Sequence, residues 1–562
     1  MRRVTRLGSI AVLAAGIAVL QAAMFTPYGF FSGDQGSKYL QARAFATHGP
    51  LQPGIDVRSR DLDPEYRHQE PKLKNRRGRL VSEFLWLLPL ASAPFVALFG
   101  LWGLYVVPAL SVLAVLWIAM TIGRRLDARH GVQIGWTAVL ATPILLYGFE
   151  FWEHAPAAAC VLGAAALLGP WSPSPARGRA VAAGALILVG ALFREETLPA
   201  LPALVVARAL TMERDRLREI VVTGALTGAG LAAAALLAVP MNVLLYGSVL
   251  PMHMTQDAWE VARAAPYMDV RREVLFDLLL PREFAGLYAL AAIAGLASAV
   301  ARARGVAWRG LLPIAHASVV VMLAAGVVVP LARTGYNVAS AAHTWPFALA
   351  LIYWPWTART IDTRAIHYLV AGGLLILMLT VVIVPTSGGA QWSPRFLLAA
   401  APVLGVAAAV IAWGPSVPAT AAWMARLAVV AGILMQASGF LYFREAKNRN
   451  ARITDQVRRQ PADEPIVADA YWVPEVIATL APDRRILFAW SAAEMSELGR
   501  IAVDRGFRQL TVLSSTAETG YVAPRILVDA PGCTLTRSGR VAVGERGLIL
   551  HRYACDSIGV LK

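Results

Sequence analysis

"LWGLYVVPALSVLAVLWIAMTI", residues 101–122, carries no charge and is followed at once by Arg124 and Arg125. A helix needs about 20 apolar residues to cross the hydrocarbon core of a bilayer. Lys and Arg gather at the cytoplasmic ends of such crossings. The run therefore reads as a crossing that ends in the cytoplasm. Similar runs recur along the 562 residues, which are 57% hydrophobic and only 16% charged, with a mean hydropathy of +0.54. A soluble domain carries about 25% charged residues. The expected fold class is a polytopic α-helical membrane protein.

The net charge of +16 and pI near 10.1 would suit a nucleic-acid partner only if the basic residues formed one patch. They do not. Arg2, Arg3 and Arg6 precede the first apolar run, and Arg124, Arg125 and Arg129 follow another. Arg177 and Arg179, then Arg208 to Arg218, Arg302 to Arg309, and Arg359 with Arg364 lie in alternate short loops. That is the positive-inside pattern, so no nucleic-acid partner is expected.

The first run, Leu7 to about Phe25, is long for the apolar part of a signal peptide and lacks a clear A-x-A site. It is expected to be a retained helix with the N-terminus cytoplasmic. Residues 28–100 form a first external loop, which includes the basic run "KLKNRRGR" at 72–79. Residues 84–99, "FLWLLPLASAPFVALF", are short and hold two prolines. They read as an interfacial or re-entrant helix, because the flanking loops lie on opposite sides and residues 101–122 already supply the crossing. Later crossings are expected near 132–149, 156–170, 180–194, 197–210, 219–240, 285–301, 311–331, 345–358, 366–384, 396–413 and 425–443. The total is about thirteen. An odd number puts the C-terminus outside the cytoplasm of a bacterial-type inner (plasma) membrane. The expected domains are a transmembrane domain at 1–444 and an extracytoplasmic α/β domain at 445–562. In the latter, strand-like "PIVADA", "RILFAW" and "QLTVLSS" alternate with helical stretches, as in a parallel sheet. No G-x-G-x-x-G follows its first strand, so no dinucleotide is expected. Of the three cysteines, Cys160 lies in an apolar run, while Cys533 and Cys555 are placed where either a disulfide or two thiols is possible.

Charged groups at membrane depth are costly and usually functional. Here they gather at the external helix ends: Asp34 and Lys38 after the first helix, and Glu150, Glu153 and His154 in "FEFWEHA". Arg194 follows in "LFREE", His253 and Gln256 in the 246–267 loop, Arg333 and His343 in "LARTGYNVASAAHTWP", and Trp392 and Arg395 in "GGAQWSPRF". Arginines bind phosphate by charge-assisted hydrogen bonds. A carboxylate can take a proton from an attacking hydroxyl or amine. This set suits a lipid-linked phosphate donor. No ligand-spaced His, Asp or Glu cluster appears, so no metal or other cofactor is expected, although the pattern does not exclude a divalent metal.

"SGDQGSKYLQA", "PLASAPFVALFG", "FEFWEHA", "LFREE" and "GGAQWSPRFLLAAAP", taken in this order, resemble the C-type glycosyltransferase superfamily. The likeness is to the branch of protein O-mannosyltransferases and the lipid A aminoarabinose transferase, and covers about residues 1–445. It implies a polytopic enzyme that moves a sugar from a polyprenyl-phosphate donor to an extracytoplasmic acceptor (lipid, glycan or protein), with inversion. It implies Asp34 as the base or acceptor-orienting group, and Arg194 and Arg395 as phosphate contacts. Gln35 stands where many relatives have a second acid. The bland readings are an N-cap role for Asp34, a snorkelling Lys38 and pairing of Arg194 with Glu195 or Glu196. The alternative function is a polytopic transporter or lipid flippase, for which repeated halves and interrupted midplane helices would be the signature.

Overall fold

The computed structural model describes residues 2–171, 177–212, 216–252, 267–280, 285–306, 309–328, 340–357, 363–384, 392–414, 417–515, 533–540 and 548–555. Among them, six helices are long and apolar enough to cross a membrane: Thr5–Met24, Leu87–Leu126, Leu217–Tyr246, Ala285–Ala303, Thr363–Ile383 and Ala419–Arg458. The protein is a polytopic helical membrane protein. Others of the expected thirteen crossings fall on shorter apolar helices, such as Gly131–Leu140, His154–Leu168 and Ala401–Trp413. The Leu87–Leu126 stretch is not one rod. A helix at Leu87–Phe99 gives way at Gly100 (φ +58) to a 3-10 turn, and the Val106–Leu126 helix follows.

The chain packs as two units. The first comprises residues 1–21, 107–240 and 254–442. Its centre is the Ala401–Trp413 helix, buried at every position from Ala401 to Ala412. It packs on the helices at Gly131–Leu140, His154–Leu168, Pro346–Trp356 and Thr363–Ile383. A helix apolar all round has no solvent face to present, so it goes to the centre. Close helix approach elsewhere uses small residues. A side chain at Gly184 would lie 1.8 Å from the Thr227 carbonyl oxygen, and one at Gly230 would lie 1.9 Å from that of Val181.

The second unit comprises residues 22–106, 241–253 and 443–562. The composition change near residue 445 falls inside one continuous helix, Ala419–Arg458. Its last turns hold the segment after the first helix. Asn450 Nδ2 donates to the Phe30 carbonyl at 2.7 Å, and the Phe31 and Phe443 rings lie 4.4 Å apart. Then come strands β3 (Ile466–Ala468), β4 (Ile486–Phe488), β5 (Gln509–Ser515), β6 (Cys533–Arg540) and β7 (Leu548–Cys555). They form one sheet in the order β4-β3-β5-β7-β6, with β3 parallel to β4 and β5, and with β7 antiparallel to β5 and β6. The expected β-α-β-α-β rhythm is present, with an antiparallel hairpin added. The helix before β5, Ala492–Asp504, starts with Ser491 accepting from the Glu494 N–H, while Glu494 accepts from that of Trp490. These bonds satisfy donors that a helix start otherwise leaves open. Cys555 stands opposite Cys533 in the ladder and is disulfide-bonded, whereas Cys160 is free.

The first loop covers this sheet. An exposed edge strand invites unwanted pairing, but the Phe488 N–H of β4 donates to the His68 carbonyl at 2.8 Å. Arg485 pairs with Asp61 at 2.7 Å. Within the loop, β1 (Leu73–Arg76) and β2 (Arg79–Ser82) form a hairpin.

The Asp34–His48 helix is buried on its polar side as well as its apolar one. Tyr39, Ala42 and Phe45 are buried, but so are Gln35, Ser37, Lys38 and Gln41. Each polar group has a partner, which makes burial tolerable. Gln35 accepts from the Phe31 N–H, Ser37 donates to Glu70, and Gln41 donates to the Pro53 carbonyl and accepts from the Ser82 N–H. Periodicity of apolar residues could not reveal this polar side.

Gly33 and Gly36 are needed where this helix begins. A Cβ at Gly36 would lie 1.9 Å from the Glu475 carbonyl oxygen. Gly36→Ala is expected to destabilise the protein by roughly 1–3 kcal/mol through overpacking. Gly54→Ala, where the nearest atom is 3.8 Å away, should leave the thermal midpoint of the detergent-solubilised protein nearly unchanged. Equal midpoints for both variants would refute the close approach.

Candidate functional site

Two polar clusters are described, one in each unit. In the second unit, Asp34 opens the Asp34–His48 helix. Gly33, not Asp34, occupies the N-cap position and makes no side-chain cap. Asp34 therefore sits in the first turn, where the partial positive charge of the helix N-terminus favours an ionised carboxylate. The loop that follows this helix is tied by Asp63, which accepts from the Arg67 and His68 N–H groups and from the Gln69 amide. That brings Glu70 beneath the helix, where its Oε1 accepts from Ser37 Oγ at 2.8 Å and from the Lys72 N–H at 3.1 Å. Lys72 and Lys74 pair with buried Glu83 at 2.7 and 3.4 Å. Lys38, buried one turn into the helix, rests its ammonium 4.3 Å from the centre of the Phe84 ring. Such a contact partly compensates a desolvated cation.

Glu475 completes this cluster from the short Trp472–Val476 helix. Its side chain occupies the space in which a Cβ on Gly33 would stand. Burial raises the carboxyl well above the usual range, and the charges of Glu70 and Asp34 raise it further, against the pull of Lys72. Glu70 is pushed up to about 7, chiefly by burial.

In the first unit, the tight turn before the His154–Leu168 helix and the turn before the Ala200–Leu210 helix meet around Arg194. Its Nη1 donates to Glu153 at 2.8 Å, its Nε to Glu196 Oε2 at 3.0 Å, and its Nη2 to Glu196 Oε1. All three residues are buried. Tyr147 stacks on Trp152 with ring centres 5.5 Å apart, and the His154 ring lies 5.1 and 5.3 Å from the two. The Arg395 guanidinium lies 5.3 Å from both the Trp152 and Phe396 rings. Tyr147 donates to the Trp392 carbonyl at 2.8 Å. Next to it, Ser393 is held in the left-handed region (φ +69) and accepts from Trp345 Nε1 at 2.8 Å. A small cavity is lined by His154, Arg194, Glu196, Thr197, Arg395 and Phe396.

The structure thus groups Glu153, His154, Arg194, Trp392 and Arg395, with Glu150 buried on the same turn. His343 lies on the short Ala341–Thr344 helix, its Nδ1 3.0 Å from Ser340 Oγ. His253 and Arg333 fall outside the described residues. Sequence reading did not single out Glu70, Lys72, Glu83 or Glu475. The first three sit in a stretch whose dominant signal is basic, and Glu475 belongs to an unremarkable helical run 441 residues from Asp34. Among the described residues, no group of three His, Cys, Asp or Glu side chains is arranged to hold a metal.

No family model and no curated protein sequence matches the chain. Among solved structures it is similar to the crystal structure of ArnT from Cupriavidus metallidurans bound to undecaprenyl phosphate. The TM-score is 0.49 at 14% identity, covering 97% of this chain and 98% of that one. The apo form of the same protein matches with TM-score 0.49 at 13% identity, over 98% of each chain.

Arg194 compensates two buried carboxylates, so its loss leaves both uncompensated. Arg194→Ala is expected to cost about 3–5 kcal/mol. Arg194→Ala combined with Glu153→Gln and Glu196→Gln should recover much of that loss in thermal unfolding. A stable single variant would mean that the two acids are not ionised.

Proposed function

We propose that the protein is a membrane glycosyltransferase that takes a sugar from a polyprenyl-phosphate donor and passes it to an extracytoplasmic acceptor. The observation that carries this reading is the carboxylate of Asp34 at a helix N-terminus, in a buried acid–lysine cluster of a chain whose described residues include six bilayer-length helices. The order of motifs noted in the sequence supports the same class. Asp34 accepts the proton of the acceptor hydroxyl or amine as that atom bonds to the anomeric carbon. The bond from that carbon to the phosphate oxygen breaks, and the lipid phosphate leaves with the electron pair. One displacement with one base inverts the anomeric centre. Lys38, in the same cluster as Asp34, is assigned to the phosphate of the donor, as charge that stabilises the leaving group. Arg194 is assigned a supporting role, because its guanidinium is taken up by Glu153 and Glu196. The cytoplasmic N-terminus and external C-terminal portion follow the arginine pattern of the loops.

Purified protein should transfer radiolabel from polyprenyl-phosphate sugars to an envelope extract. Asp34→Asn, which keeps the shape and removes the base, should lower the rate by about 10²–10⁴. Undiminished transfer by the Asn variant would remove Asp34 from the chemistry. Lys38→Gln should lower kcat and kcat/KM for the donor together, as loss of a contact that strengthens in the transition state does.

A further inference from the structure

Glu475 has no role in the displacement above, yet it is buried to within 2% of full enclosure at the start of the helix that carries Asp34. Its carboxylate fills the place of a side chain at Gly33, and its backbone carbonyl fills that of one at Gly36. Two carboxyl oxygens there meet no donor: Glu475 Oε1 and Glu70 Oε2. Both acids are buried, and after burial the charge of Glu70 is the largest influence holding the Glu475 carboxyl up. Two ionised carboxylates cannot satisfy one another, whereas one proton between them supplies the missing donor.

We infer that Glu475 is a positioning residue: a proton shared between Glu475 and Glu70 seats the Glu475 side chain on Gly33 and Gly36, and so fixes the first turn of the helix that bears Asp34. The consequence for sugar transfer rests on Asp34 being the base. The charged groups around the pair are Asp34 and Lys38 on the helix, Lys72 on the loop, and Lys74 and Glu83 on the hairpin and its exit. Asp34 and Glu83 favour retention of the proton, and Lys72 opposes it. Because burial raises both carboxyls, the seated state binds more protons than the open one. Seating is complete below the ordinary carboxylate range and is lost as pH rises through about 7 and above.

The test is amide hydrogen exchange of the full-length protein at residues 35–38, corrected for intrinsic rate, at pH 6 to 9, alongside label transfer over the same range. Wild type should lose protection of this turn as pH rises. Glu475→Gln keeps a donor toward Glu70 and cannot titrate, so its protection should stay flat across the range. Its transfer rate should stay within about threefold of wild type at pH 6.5, with the alkaline limb moved upward by about one unit. Glu475→Ala should lose protection by on the order of tenfold at every pH. A Gln variant whose exchange and rate profiles overlay those of wild type overturns the inference, as does an Ala variant that keeps full protection. If the exchange results are as expected while wild type transfers no label from any donor, the seating stands and the glycosyltransferase reading falls.

Discussion

A carboxylate taken out of water must find compensation, and both polar clusters in this protein are built around that requirement. The cost of an isolated buried charge is several kcal/mol or more. Around Arg194 the compensation is a cation, whose guanidinium spans Glu153 and Glu196. Around Asp34 it is divided. Asp34 has the helix N-terminus, Glu83 has Lys72 and Lys74, and Glu70 has Ser37 and a backbone N–H. The two solutions differ in what they permit. A guanidinium holds its two acids by direct hydrogen bonds, whereas a set in which an acid has been pushed up to about 7 can change its charge under mild conditions.

Much of the architecture was legible because the bilayer imposes a simple rule on sequence. Uncharged runs near 20 residues become helices, and residues 101–122 lie largely within the Val106–Leu126 helix. Strand-like runs such as "RILFAW" likewise became β4. The number of crossings was less legible, since several apolar runs are helices of 10–17 residues separated by buried turns. The site was half legible. Glu153, His154, Arg194 and Arg395 stand out as polar residues flanked by apolar runs, and they do converge. The buried polar side of the Asp34–His48 helix was hidden, because Gln35, Ser37 and Gln41 look like a wet face until their partners are known. Glu475 was hidden for a stronger reason. Its meaning depends on two glycines far away, and an absent side chain leaves no trace in a hydropathy pattern.

The first loop also changes meaning between sequence and structure. By composition it is a long polar insertion with a basic run. In the fold it orders itself around Asp63, caps the edge strand β4 and brings Glu70 under Asp34. Its many charges are thus divided between structure and site.

The second unit has one more property that follows from its discontinuity. Asn450 binds Phe30 across 420 residues of chain. At about 5–20 residues per second of synthesis, the partner of Phe30 is made on the order of 20–80 s after Phe30 itself. Contacts of such long range are slow to form and leave their early half waiting. The segment bearing Asp34 is therefore made long before anything can enclose it. The cluster around Asp34 is completed last, only when Glu475 has been made, so a chain terminated before it leaves the first turn of that helix uncovered.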